Sequence, residues 1–420
     1  MSIKLENKEV NYSAMVVQIH ALNDLERLDR LKGFSVAGMQ ALVSLDNKVG
    51  DIGVLFPAES QLSLDYAAKN NLHRNSELNE VDEKGYLEDS RRVKAIKFQG
   101  NKSTALFMPL GSLSYLGIDV SELNVGDSFT HINGTEVCRK YEIQDRQSGS
   151  NKTRGKTKKW TRIDNKTFPE HWDTDNFFRC SNNYHEDDNI VVTQKVHGTS
   201  ARFTNQVVSR KLNWFEKLLE HFGVSISNVE YDTLAGSRRV IKDVKCDKVN
   251  DHFYSVDLWN EWLSKIEHII PKNYVLYGEI VGYIGTNKSI QKNYTYDCVE
   301  GQNKLYIYRI TVVNEDGVAL DLSWDQVVEF CHNNGLDYVP ELWRGKFSDF
   351  NVDEWLNVGY NKLGFSKAIP LCDSSPCDEG VCVRREGITP YVTKAKSPDF
   401  LVHETKQIDS GNVDTESAET

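Results

Sequence analysis

The sequence predicts an α+β protein built as two unequal units, a small barrel of short strands followed by a larger unit of antiparallel strands and helices. Three observations carry this reading. Short apolar runs punctuated by turn residues recur through residues 1–147. From about residue 165 onward, helical periodicity is interspersed with longer apolar strand runs. Between the two lies Arg146 to Arg162, with seven Lys or Arg and no acid.

In the first unit the strand-like runs are 14–19, 40–45 and 52–56, separated by Asp46-Asn47 and by Val49-Gly50-Asp51. A second set follows at 95–98, 104–109 and 127–130. Short strands at such spacing predict a closed or half-closed barrel. The polar stretch from Asn70 to Arg92 reads as a long loop or a solvated helix. The basic segment reads as an interdomain linker and also as a strap for a phosphate backbone, with Lys152, Arg154, Lys156, Lys158 and Lys159 as its contacts.

In the second unit, Val191 to Lys195 reads as a buried strand ending in a tight turn at Val196-His197-Gly198. Residues 213–223 read as a helix whose apolar positions 214, 215, 218, 219 and 222 form a core-facing side, with Gly223 as the stop. Two more helices are expected at 251–267 and 323–334. Strands are expected at 274–283, 304–313, 380–385 and 391–395. Residues 403–420 are polar and acidic, and are expected to be disordered.

Bulk composition excludes several classes. Hydrophobic content of 39% and charged content of 26% are those of a globular chain. No apolar run approaches the roughly 20 residues that span a bilayer, and Met1 to Glu6 lack an apolar signal core, so a cytoplasmic protein without membrane contact is expected. The net charge of −11 argues against a polyanion partner only if charge is evenly spread, and the basic segment shows that it is not. Eight cysteines are too sparse for a disulfide scaffold. Cys372, Cys377 and Cys382 lie five apart rather than as CxxC pairs, which favours reduced thiols over a zinc site.

Three places put ionisable groups at strand ends. Lys195 can be desolvated at the mouth of its strand, the condition for an amine nucleophile. Glu279 in Tyr277-Gly278-Glu279 and Glu379 in Asp378-Glu379-Gly380 each abut a glycine, where a carboxylate can meet a ribose hydroxyl or a hard cation. Lys394 and Lys396 share one face of a strand; their repulsion is expected to lower both pKa values, and a triphosphate would relieve it.

In this order and with these residue types, the series resembles the covalent nucleotidyltransferase superfamily of ATP-dependent ligases and capping enzymes. Lys195 to Gly198 resembles the nucleophile motif, with His197 where Asp is commoner. Tyr277 to Glu279, Asp378 to Val381 and Lys394 to Lys396 resemble later motifs, and Tyr308 falls on the strand that usually carries a purine-stacking aromatic. Within the superfamily the sequence looks most like nick-sealing RNA ligases of the Deinococcus type, supported by 49–57 and by Phe168 to Thr174. The resemblance implies an OB-like nucleic-acid-binding domain over 1–147, a basic linker over 148–164, an adenylyltransferase domain of antiparallel sheets with helices over 165–402, and the acidic tail over 403–420.

The resemblance further implies ATP as substrate, Mg²⁺ or Mn²⁺ as metal, and a nicked RNA or RNA-containing duplex as partner; a monomer is compatible with it. Lys195 would carry AMP, Glu379 would hold metal or orient a lysine, and Lys394 and Lys396 would grip the α-phosphate. Glu279 would hold the ribose, Tyr308 would stack on adenine, and Gln194, His197 and Gly198 would complete the nucleotide site. A Ser-Arg motif is matched by both Arg210 and Arg238, of which Arg238 is favoured by its apolar flanks. A capping guanylyltransferase or a DNA ligase would share the chemistry but normally carries an OB domain after the last motif. A catalytically silent nucleic-acid-binding protein is the alternative outside enzymes. Removing 1–147 is expected to weaken sealing while sparing the reaction of Lys195 with ATP.

Overall fold

The computed structural model describes residues 3–142, 161–246, 256–352, 355–356 and 367–411. Lys152, Arg154, Lys156, Lys158 and Lys159, and with them nearly all of the expected linker, lie outside the described residues.

The N-terminal unit is a seven-stranded sheet with Ser128–Phe129 at one edge and Asn23–Leu25 at the other. Its centre is Ala14–Gln18, Ile52–Pro57, Ala105–Pro109 and Met39–Ser44, in that order. These four match the apolar runs read from sequence. The nine-residue strand Leu28–Val36 beside them was not anticipated, because charged residues interrupt its apolar pattern. No pairing among the described residues joins the two edge strands, so the sheet is open where a closed or half-closed barrel was expected. Both faces are covered: Val16, Phe56 and Phe129 pack on one side, Val17, Phe34 and Phe107 on the other. Between Asn70 and Arg92 the chain is mostly loop, with one short 3-10 turn at Ser76–Leu78.

The second unit holds two sheets. The five-stranded sheet runs Asp175–Asn176, Tyr391–Lys396, Gly380–Arg385, Asn189–Lys195, Glu341–Lys346. The larger sheet is built on Val229–Gly236, Thr199–Ser209, Tyr274–Ile284 and Asn303–Val313. The chain passes from one sheet to the other through Val196-His197-Gly198, so the turn after Lys195 is also the seam between the sheets. Helices Leu258–Ile266 and Trp324–Asn334 bury Trp259 and Trp324 in the main core. The second of these starts at a capping box of Ser323 and Gln326, which satisfies two otherwise orphaned backbone N–H groups. No described helix is long and apolar enough to cross a membrane.

Two expectations are overturned. Helix Trp214–His221 exists, capped by Asn213 and Glu216, but its apolar side is not core: Trp214 is 77% exposed and Phe222 74%. The helix is carried on the connection between strands Thr199–Ser209 and Val229–Gly236, and none of its residues is buried. The expected tail is ordered in its first part. Residues 403–409 belong to helix Pro398–Asp409, and 412–420 lie outside the described residues. Ser397 caps this helix, Pro398 opens it with its fixed φ, and Phe400, Val402 and Thr405 are buried.

This last helix ties the two units together. Arg92, almost fully buried, makes two 2.7 Å bonds to Glu59 and a 2.9 Å bond to Asp409. Thr405 donates to Glu59 at 2.7 Å, and Lys102 pairs with Asp399 at 2.7 Å. A second junction is made by Arg179, which donates to the carbonyls of Val10 and Ser13. The N-terminal unit is therefore packed against the second unit, and removing 1–147 would leave Thr405 and Asp409 of that helix without their partners Glu59 and Arg92. These contacts weigh against the expectation that such a deletion spares the reaction with ATP.

Candidate active site

Strand register brings the lysines together. Lys195 lies opposite Gly380, and Gly380 lies opposite Lys396. Two residues back, Thr193 lies opposite Cys382, and Cys382 opposite Lys394. With a side-chain period of two, all three lysines stand on one face of the five-stranded sheet. Gly380 has φ +148°, and a Cβ there would lie 2.0 Å from the Ala395 carbonyl oxygen, so only glycine fits between the lysine strands.

Lys195 Nζ lies 2.8 Å from Glu379 Oε1. Glu379 is almost wholly buried, and its second oxygen has no hydrogen-bond partner among the described residues. That oxygen faces His197 Nδ1 at 3.8 Å, too far for a hydrogen bond. A buried carboxylate oxygen left open beside Lys195 suits a hard cation. Among the described residues no three His, Cys, Asp or Glu cluster as a metal cage. A cation there would take one or two carboxylate oxygens from the chain and its remaining ligands from water and phosphate, the habit of Mg²⁺.

Across the seam, Glu279 is oriented by the turn that follows Lys195. Gly198 N–H donates to Glu279 Oε1 at 3.0 Å, and the Ser200 hydroxyl donates to Oε2 at 3.4 Å. A Cβ on Gly198 would come within 2.3 Å of the Ile280 carbonyl oxygen. Gly198→Ala should therefore push the turn off Glu279, costing about 1–3 kcal/mol of stability and most of the activity; a wild-type thermal midpoint would show that the seam has slack. His197 is held rather than free. Its backbone N–H donates to the Tyr296 hydroxyl at 2.6 Å, and its ring packs edge-on against Tyr294 and Phe400.

The two lysines of the Tyr391–Lys396 strand differ. Burial is the largest influence on Lys394, and with the nearby charges of Lys396, Lys195 and Arg238 it brings the pKa down to about 8. Burial also acts against the charge on Lys396, but Glu404 and Glu379 outweigh it and hold that pKa above the ordinary value. Lys396 Nζ lies 2.7 Å from Glu404 Oε1. The expectation that mutual repulsion lowers both is thus corrected for Lys396, because Glu404 of the final helix neutralises it. Arg238 reaches the groove and pairs with Asp173, whereas Arg210 pairs with Glu216 on the exposed helix.

From Lys195 the groove leads into a pocket walled by Trp172, Thr193, Tyr308 and Val339. Tyr308 enters it through a β-bulge. Tyr277 pairs with Arg309 and Gly278 with Ile307, which leaves Tyr308 as the extra residue. The bulge lets the adjacent Tyr308 and Arg309 both line the pocket, which a regular strand would forbid. Arg309 is sandwiched between Trp172, 3.4 Å from its ring centre, and Tyr277, at 4.8 Å. Gln194 lines the same pocket, but its amide exchanges two bonds with the Ile369 backbone, at 2.8 and 3.2 Å, so it acts first as a clip for that segment.

On the other side the groove reaches the N-terminal unit, where Lys8, Tyr12 and Lys140 face the lysines. Burial pushes the Tyr12 phenol up to about 12. Sequence reasoning missed Tyr12, Asp173, Arg309 and Glu404 as groove residues. For Glu404 a signal existed in the Ser397-Pro398 helix start and the apolar positions after it.

Residues 188–397 match the family model described as RNA ligase. No curated protein sequence matches the chain significantly. Solved structures of Naegleria gruberi RNA ligase share the fold. One, a lysine-to-alanine variant with ATP and Mn, has a TM-score of 0.55 at 17% identity, covering 95% of this chain and 99% of that one. Another, with PPi, has a TM-score of 0.56 at 16% identity, covering 94% and 98%. A lysine-to-methionine variant with AMP and Mn has a TM-score of 0.55 at 16% identity, covering 92% and 97%.

Proposed function

The chain belongs to the RNA ligase family, and from that premise we propose that it seals RNA 3′-hydroxyl and 5′-phosphate ends with ATP, by way of a lysyl-AMP intermediate on Lys195. The observation that carries this is the placement of Lys195 Nζ 2.8 Å from the buried Glu379, on the sheet face that also bears Lys394 and Lys396. ATP and manganese in the Naegleria structures support the choice of nucleotide and of a divalent metal, Mg²⁺ or Mn²⁺.

In the first step the Lys195 amine attacks the α-phosphorus; the N–P bond forms, the bond to the β-phosphate oxygen breaks, and pyrophosphate leaves. Lys195 must first give up a proton: its 2.8 Å pair with Glu379 opposes this, and the cations Lys394 and Lys396 beside it act the other way. The same two cations face the charge that grows on the α-phosphate oxygens. A divalent ion at Glu379 would add charge stabilisation on those oxygens. Glu279, fixed by the Gly198 N–H, is assigned to the ribose and Tyr308 to the adenine face. AMP then passes to a 5′-phosphate, and a 3′-hydroxyl displaces it to close the phosphodiester. Positioning and electrostatics do most of the catalysis in such transfers.

Nick sealing of the Deinococcus type is the finer reading. It assigns residues 1–147 to an OB-like nucleic-acid-binding role, 165–402 to adenylyl transfer, and Lys152, Arg154, Lys156, Lys158 and Lys159 to phosphate contacts. The groove's N-terminal wall of Lys8 and Lys140 supports a nucleic-acid end entering from that side. The test uses ATP labelled at the α-phosphate with Mg²⁺, then nicked duplexes carrying RNA or DNA at the 3′-hydroxyl. Labelled protein and sealing confined to RNA 3′ ends are expected. Labelling by GTP alone would move the case to capping, and labelling by neither nucleotide would leave a silent RNA-binding protein.

A further inference from the structure

We infer that Glu404, on the helix after the last lysine strand, is a positioning residue that aims Lys396 into the groove, so that the docking of this helix on the N-terminal unit governs the lysine's catalytic competence. The inference rests on the proposed adenylyl transfer. The contacts of three residues carry it. Glu404 Oε1 accepts from Lys396 Nζ at 2.7 Å, and Glu404 itself lines the groove. One residue on, Thr405 donates to Glu59 at 2.7 Å and accepts the Ala95 backbone N–H at 3.2 Å. At the helix end, Asp409 pairs with the buried Arg92 and with Lys94.

The geometry separates the roles of the two lysines. Lys394 has no carboxylate at ion-pair distance among the described residues, and it stands ready for a phosphate oxygen. Lys396 has four rotatable bonds and a charge that is costly to bury alone. Glu404 meets that cost and fixes the ammonium's place with one charge-assisted bond. The carboxylate hangs from a helix that Phe400 and His403 anchor on His197 and Tyr294 and that Thr405 and Asp409 anchor on Glu59, Ala95 and Arg92 of the N-terminal unit. Loosening the contacts at Thr405 and Asp409, which lie outside the nucleotide pocket, is expected to shift Glu404 and with it Lys396.

The experiment measures protein labelling from α-labelled ATP by the full chain, as rate at saturating ATP, apparent KM and pH profile, in Glu404→Gln, Glu404→Asp and Asp409→Asn. Glu404→Gln keeps the shape and removes the charge. Its maximal rate is expected to fall about tenfold with KM changed less than about twofold, since the aim is felt at the transition state. Without Glu404 the buried Lys396 keeps chiefly Glu379 against its burial, so its deprotonation joins that of Lys394 and the alkaline limb is expected to steepen and move to lower pH. Glu404→Asp should recover part of the rate. Asp409→Asn, altered at a half-exposed position outside the groove, should shift rate and limb the same way by less. A folded Glu404→Gln with wild-type rate and profile overturns the inference; if that variant does not fold, a wild-type profile in Asp409→Asn overturns it. Wild-type protein that takes no label at all refutes the adenylyl-transfer reading instead, and the two failures are told apart by that control.

Discussion

Lys195→Ala is expected to abolish formation of the labelled protein, with the rate falling by at least about 10⁴-fold, because no other amine can take the nucleophile's place. The substitution also strands Glu379. That carboxylate is 3% exposed and would lose its 2.8 Å partner, a loss worth about 1–3 kcal/mol. Lys195→Arg separates the two effects. A guanidinium can keep the ion pair but cannot be deprotonated to attack, so stability should be retained and labelling lost. Both variants should still close a nick whose 5′ end already carries AMP, since the last step needs the metal and the cations but not the nucleophile. Thermal denaturation, labelling and sealing of the preactivated nick make the comparison, and undiminished labelling of Lys195→Ala would sink the assignment.

Lys394→Met should lower the labelling rate by about 10² to 10³-fold, the usual loss when a charge aimed at a developing anion is removed. Its pKa of about 8 gives a second signature. The ammonium is present below that pH and lost above it, so the wild-type rate should fall on the alkaline side with a midpoint near 8. Stability runs the other way. Between pH 8 and the unfolded value of 10.5 the unfolded chain binds a proton that the folded chain has released, so stability rises with pH across that window. Below it, the buried charge opposes folding. Lys394→Met should therefore be more stable than wild type at pH 7, by about 1–3 kcal/mol, and the gain should shrink above pH 8. A variant that is slower but no more stable would place the lysine in a better solvated setting than its burial indicates.

Much of the site was legible because its residues sit on strands, where a period of two converts spacing into a shared face. Lys394 and Lys396 could be placed together on that ground alone. What joined them to Lys195 was register, which no spacing in the chain encodes; the pairs Lys195 with Gly380 and Gly380 with Lys396 exist only in the folded sheet. Tyr308 was legible as an aromatic on the right strand, but the bulge that turns Arg309 into the same pocket was not. A bulge is fixed by the partner strand as much as by its own sequence. The helix at Trp214–His221 shows the converse limit. Its caps and periodicity gave its existence, yet amphipathicity alone does not say whether its apolar side meets a core or solvent. The open N-terminal sheet belongs to the same class, since closure depends on which distant edges meet. Glu404 was hidden by a boundary. Polar residues after His403 masked a helix whose start was plainly marked by Ser397 and Pro398.

The bond between Thr405 and Glu59 joins residues 346 positions apart. Contacts of such separation form late, because a long loop must be closed before they contribute anything. During synthesis the N-terminal unit and the larger sheet can fold while residues 398–409 are still to be made. The carboxylate that steadies Lys396 therefore arrives after every other group in the groove. A chain interrupted just past Lys396 would carry the whole motif series and still lack that partner, so under the proposed role of Glu404 labelling from ATP is expected only once residues 398–409 are made and docked.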